Sequence, residues 1–160
     1  AEDCLYFLLA LKRIYLECGG LEEVFAKGFA RDNSVFSAIR YFREEFLALP
    51  HTTRVEKHLP NVDKGSAAKR INMFLRWMVR SDDLGVDFGL WHSIPTSALM
   101  LPLDVHAANI SRRLGILLHP KNDRRAVEEV TAYLRRLDPQ DPVKYDFALF
   151  GEGVFDGKEM

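Results

Sequence analysis

The sequence has only two cysteines, Cys4 and Cys18, in 160 residues. Both fall in one helical pattern, about 21 Å apart by the rise of a helix, so they cannot pair there. This argues against a disulfide-stapled fold and for a reducing, cytoplasmic setting with both thiols buried. No apolar run reaches membrane-spanning length and no signal peptide is visible, so no membrane partner is expected. An excess of one charge is missing too: the formal net charge is −1, so attraction to nucleic acid must come from a local patch. Gly-x-Ser-x-Gly, His-Glu-x-x-His, P-loop and Rossmann fingerprints are all absent. The five histidines are scattered, and only His106 lies in a motif. Cysteine–histidine catalysis would need Cys4 or Cys18 to leave its apolar helix.

The chain does have the makings of an ordinary helical domain. Its length suits one domain, which buries roughly two-thirds of its unfolded surface. The composition, 48% hydrophobic and 28% charged, opposes disorder. Leu5, Leu8, Leu9, Leu11, Ile14 and Tyr15 recur at helical spacing over Asp3 to Cys18, and Gly19-Gly20 stops them. A short helix is expected at Leu21 to Lys27, then a turn at Arg31-Asp32-Asn33. Asn33 or Ser34 starts a third helix with Phe36, Ile39, Phe42, Phe46 and Leu47 as its buried stripe. The phenylalanines keep helical period, which reads as core rather than as a base-stacking platform. Ser66 is placed to cap a helix over Ala67 to Val79, with Ile71, Phe74, Leu75 and Met78 inward. Asn122 or Asp123 caps Arg124 to Leu137. Asp141, with Pro142 at the first position, opens a last helix that reaches Phe150 before Gly151. No strand, repeat or low-complexity tract stands out.

Two stretches carry chemistry. In Leu101 to Gly115, LPLDVHAANISRRLG, Pro102 pushes Leu101 towards extended backbone. Asp104 then caps a helix with Val105, Ala108, Ile110 and Leu114 on one side, and Gly115 ends it. Asp104 is either a cap alone or a cap that also does chemistry. From Pro50 to Arg80, seven basic residues (Arg54, Lys57, Lys64, Lys69, Arg70, Arg76 and Arg80) face only Glu56 and Asp63, an excess of five. That density suits phosphate neutralisation and equally suits a solvated helix face. Asp82, Asp83 and Asp87 form an acidic cluster without metal-ligand spacing, so no metal is expected. Trp91 and His92 are either core and surface residues or the wall of a pocket that stacks on an extruded base.

The wording of Leu101 to Gly115 resembles the V-D-T-H-V-x-R-V-x-x-R-L-G segment of the helix-hairpin-helix DNA glycosylase superfamily. That superfamily includes endonuclease III, the adenine glycosylase MutY and the 8-oxoguanine glycosylases. The chain is also similar, over nearly all its length, to an uncharacterised bacterial family distantly related to them. The stretches that carry this are KGSAAKRINMFLRWMVRSDDLGVDFGLW (Lys64 to Trp91), LPLDVH (Leu101 to His106) and DPVKYDFALFGEGV (Asp141 to Val154). Leu59-Pro60-Asn61-Val62 and Gly65 to Lys69 resemble a degraded L-P-G-V-G-x-K hairpin, most of whose glycines are lost. Without them the backbone approaches a phosphate less closely.

The resemblance implies an all-α fold of glycosylase type, with two lobes and a cleft between them within residues 1–160. Lobe one would run over roughly 1–100, with the hairpin at 59–70, and lobe two over roughly 101–155. It also implies a helical segment ahead of Ala1, so the chain reads as a fragment or a trimmed form. The implied activity is base excision with lyase chemistry. Lys69, with Lys64 as second choice, attacks C1′ of a flipped nucleotide, and Asp104 stabilises the developing charge. Damaged duplex DNA would be the partner, held by Arg54, Lys57, Lys64, Arg70, Arg76, His106, Arg112 and Arg113. The 35-residue separation of Lys69 and Asp104 resembles the long spacing of the archaeal 8-oxoguanine glycosylases and favours an oxidised purine. Asn109 and Ser111 depart from the basic and small apolar residues common at those positions. No cofactor is expected: the four-cysteine loop of endonuclease III and MutY has no counterpart after Cys18, which excludes that iron–sulfur cluster here. The alternatives are a non-catalytic nucleic-acid-binding protein on the same scaffold and a helical interaction domain that never meets DNA.

Overall fold

The computed structural model describes residues 2–82 and 85–155. It is all-helical, with one isolated antiparallel bridge, Ser81 to Phe88, and no strand among the described residues. None of the described helices is long and apolar enough to cross a membrane. Contacts divide the chain into two compact units, Ala1–Lys64 and Gly65–Met160.

The first unit holds α1 (Glu2–Glu17), α2 (Leu21–Phe29) and α3 (Val35–Phe46). Gly19 and Gly20 take positive φ, which ends α1 and lets α2 begin at once. Ser34 caps α3 by accepting the Phe36 N–H at 3.2 Å. α2 and α3 touch along their backbones at Gly28, where a Cβ would stand 2.7 Å from Ala38 Cα. Phe25 stacks on Phe42 at 4.7 Å beside this contact. In α1 the buried residues are Tyr6, Ala10 and Ile14. Leu5, Leu8 and Leu9, expected inside, are exposed. The wide apolar stripe offers two overlapping faces, and the Tyr6 face is the one fixed here, by a hydrogen bond from Tyr6 Oη to the Phe46 carbonyl at 2.9 Å. The thiols also depart from expectation, since Cys4 is exposed and Cys18 half-buried.

The second unit holds α4 (Lys69–Val79), α5 (Val105–Arg113), α6 (Arg124–Leu137) and α7 (Asp146–Phe155). α4 starts two residues later than its apolar pattern suggests, because Ala68 takes left-handed backbone (φ 50°, ψ 36°) at the cap position. Ser66 accepts the Ala68 N–H at 3.2 Å and so shapes the approach instead of capping the helix. The buried face of α4 is Asn72, Leu75, Arg76 and Val79. It is rotated from the expected apolar stripe, and only Leu75 belongs to both. The last helix is corrected as well. Pro142–Tyr145 forms a 3-10 turn, and α7 begins at Asp146 and runs through Gly151. Asp141 caps nothing; its carboxylate accepts from Arg80.

Leu101, Pro102 and Leu103 are buried in the irregular segment that leads into α5, where the Leu103 N–H turns back on the Leu101 carbonyl at 2.8 Å. α6 fixes this segment from the side. Thr131 Oγ1 accepts the Leu101 N–H at 3.1 Å, and Arg135 donates to the carbonyls of Ser97, Ala98 and Leu99. Asp104 is therefore delivered by a clamped strut, and Gly115, at φ 69°, ends α5 beyond it.

Candidate functional site

Lys69 is the first residue of α4 and Asp104 the cap of α5. Thirty-five residues apart in sequence, they meet: Lys69 Nζ donates to Asp104 Oδ2 at 3.3 Å. The other carboxylate oxygen, Oδ1, accepts the Ala107 N–H at 2.8 Å. Asp104 is thus oriented by its own helix while it holds the amine. Lys69 is held from behind. Asn72 Nδ2 ties the Ala67 carbonyl at 3.0 Å, and the Gly65 carbonyl accepts the Arg124 N–H at 2.9 Å.

The pair stands between two concavities. One is an open groove of about 500 Å³, lined by Gly65 to Lys69 on one side and by Leu103, Asp104, Val105 and Asn122 on the other. The second is a cavity of about 280 Å³ whose walls are largely apolar: Met73, Trp77, Val86, Pro102, Phe147 and Phe150. Lys69 and Asp104 line both.

Behind the cavity lies a network of arginines and carboxylates. Arg76, 4% exposed, donates to Asp87 Oδ1 at 3.1 Å and to Asp146 Oδ2, and its guanidinium lies 4.6 Å over the Phe147 ring. Arg80 donates to Asp87 Oδ2 at 2.7 Å and to Asp141 Oδ2 at 2.9 Å. Burial pushes the Asp146 carboxyl up to about 6; the charge of Arg76 opposes this and that of Asp104 adds to it. The loop after α4 is pinned by Phe88 and Trp91, whose N–H groups bond the Trp77 and Met78 carbonyls at 2.7 and 2.8 Å. This loop brings Val86 to the cavity wall.

The expected phosphate contacts belong to both units and differ in their exposure and partners. Lys57, Arg70, His106 and Arg113 are exposed. Lys64 is exposed too, at the end of the first unit, with its backbone N–H on the Asn61 side chain at 3.1 Å. Arg54 is exposed and donates to Asp3 at 3.0 Å. Arg76 is a correction: a buried guanidinium spent on two carboxylates cannot reach a phosphate. Arg112, half-buried, closes the turn after α5 by donating to the His119 and Lys121 carbonyls. For Trp91 and His92 the described contacts match the core-and-surface alternative. Trp91 is buried edge-on against Phe74 at 5.3 Å, and His92 is exposed. Asp82 accepts from Arg80 and Asp87 from both arginines, which accounts for these members of the acidic cluster. Asp83 lies outside the described residues. No group of three or more ligand-type side chains suited to a metal occurs among the described residues.

Met73, Trp77, Val86, Asp146, Phe147 and Phe150 are the cavity residues to which the sequence reading assigns no role. Their signal lies in the quoted stretches Lys64 to Trp91 and Asp141 to Val154, where Asp146 and Phe150 sit one helical turn apart. The chain belongs to the family described as Protein of unknown function (DUF2400), whose model matches residues 1–155. No curated protein and no solved structure matches the chain.

Proposed function

We propose that the chain is a DNA glycosylase of the helix-hairpin-helix type with associated lyase activity. The observation that carries the reading is the Lys69–Asp104 pair, 3.3 Å apart at the mouth of an aromatic cavity. An amine nucleophile beside an oriented carboxylate, next to a pocket that fits a flat ring, is the set of groups that base excision needs. The cavity volume of about 280 Å³ lies at the small end of ligand pockets, roughly 300 to 1,000 Å³. That favours a single base over a larger ligand. The open groove along Gly65 to Lys69 then takes the sugar and its phosphates, close to the exposed Arg70.

Attack requires the neutral amine, so Lys69 hands on a proton, and Asp104 Oδ2 is the atom in reach. The Lys69 nitrogen bonds to C1′ as the C1′–N bond to the base breaks. The electron pair leaves with the base, which takes up a proton. That proton comes from Asp104, and the carboxylate so restored stabilises the charge that develops on the sugar. Breaking C1′–O4′, with a proton delivered to O4′, then gives an iminium between C1′ and Lys69. Loss of a C2′ proton and of the 3′ phosphate completes the lyase step. An oxidised purine is the favoured substrate.

Borohydride trapping on duplexes carrying 8-oxoguanine or an abasic site tests this. The wild-type chain gives a covalent adduct, Lys69→Ala gives none, Lys64→Ala retains it, and Asp104→Asn slows its formation by a hundredfold or more. The loss of the hairpin glycines favours one other reading, a nucleic-acid-binding protein without chemistry. Salt-dependent duplex binding with no adduct and no base release would select it. Absence of both binding and adduct would refute both.

A further inference from the structure

The polar groups around the cavity are almost all committed to one another. Lys69 and Asp104 hold each other, and Arg76 divides its donors between Asp87 and Asp146. Arg76 takes Oδ2 of Asp146, which leaves Oδ1 as the acceptor this carboxyl offers to the cavity it lines. Around it the walls are rings and apolar side chains, Trp77, Phe147, Phe150 and Met73. A ligand ring between these walls shares them with Lys69, Arg76, Asp104 and Asp146, and of the two carboxylates Asp146 is the one that keeps an oxygen, Oδ1, outside the hydrogen bonds given above.

We propose that Asp146 selects the ring: its carboxylate accepts an N–H from the edge of a flat heterocycle, so the cavity takes lactam-type bases, which carry a ring N–H beside a carbonyl, over rings alkylated at that nitrogen. The proposal rests on reading the cavity as a base pocket and adds the edge by which the base is chosen. A charged acceptor in apolar surroundings discriminates strongly, because an N-alkylated ring leaves it unpaired and desolvated. Phe147, whose ring lies under the guanidinium of Arg76, holds that arginine against Asp146 and so keeps Oδ2 occupied and Oδ1 free to choose.

The test is a titration with 9-methylhypoxanthine and with 1,9-dimethylhypoxanthine, which differ only in the ring N–H beside the carbonyl, at pH 8, where Asp146 is ionised. Quenching of tryptophan fluorescence is the readout, since Trp77 lines the cavity while Trp91 packs against Phe74. The 9-methyl ring is expected to bind at least about tenfold more tightly, as suits one hydrogen bond to a charged acceptor. In Asp146→Asn the amide oxygen takes Arg76 and the NH₂ turns to the ring, so the preference vanishes or reverses. Equal affinities in the wild-type chain would overturn the proposal without any variant. Survival of the N–H preference in Asp146→Asn, or no quenching by either ring, would also overturn it. These outcomes are independent of the borohydride adduct. An adduct without ring preference removes only the selection, and ring preference without an adduct removes only the catalysis.

Discussion

Asp104 divides its two carboxylate oxygens between two tasks, one on the Ala107 N–H and one on the Lys69 ammonium. In the proposed mechanism capping therefore does not compete with chemistry; it fixes the geometry in which the second oxygen would act. Asp146 is the residue whose environment is least like water. Its ordinary carboxyl value is raised to about 6 by burial, so the folded state binds a proton more tightly than the unfolded chain. The stability this contributes is fully present below about pH 4 and is lost as pH rises through 6. Asp146→Asn has no such loss. Relative to wild type, the variant should gain roughly 3 kcal/mol between pH 4 and pH 7.5 and change little above that. Urea unfolding at several pH values checks this, and a flat difference across the range would contradict it.

Among the elements, α2 with α3 and α4 with its following loop carry the sharpest consequences. A methyl group at Gly28 would enter the α3 backbone, so Gly28→Ala should cost about 1 to 3 kcal/mol despite alanine's better helix propensity. A stability equal to or above wild type in denaturant unfolding would refute the close approach. Asp87 is fully buried between Arg76 and Arg80. Asp87→Ala leaves two guanidinium groups short of a partner and should cost about 3 to 5 kcal/mol. The same unfolding experiment checks it, and a loss below 1 kcal/mol would mean the network is loosely held. The α5 cap, its Gly115 stop and the Asp123 cap of α6 were legible because each rests on local chemistry. The buried face of α4 was not. A hydrophobicity pattern puts Arg76 outside, and only the arrival of Asp87 and Asp146 from other elements makes its burial tolerable.

For the whole molecule, the all-helical class was readable from periodicity, and the contact boundary between residues 64 and 65 was not. That boundary falls inside the stretch read as a single hairpin, where no change of composition marks it. Lys69 and Asp104 could be named from wording alone, whereas the cavity could not. Its walls come from α4, the loop after it, the strut at Pro102 and α7, and no sequence window contains them all. These walls turn a salt bridge into a candidate site. Mapping the lysine that carries the DNA remnant after borohydride reduction, by mass spectrometry of the digested adduct, tests the central claim most directly. The account predicts the modification on Lys69 and on no other lysine. A remnant on Lys64, or no remnant on a duplex that the protein demonstrably binds, would contradict it.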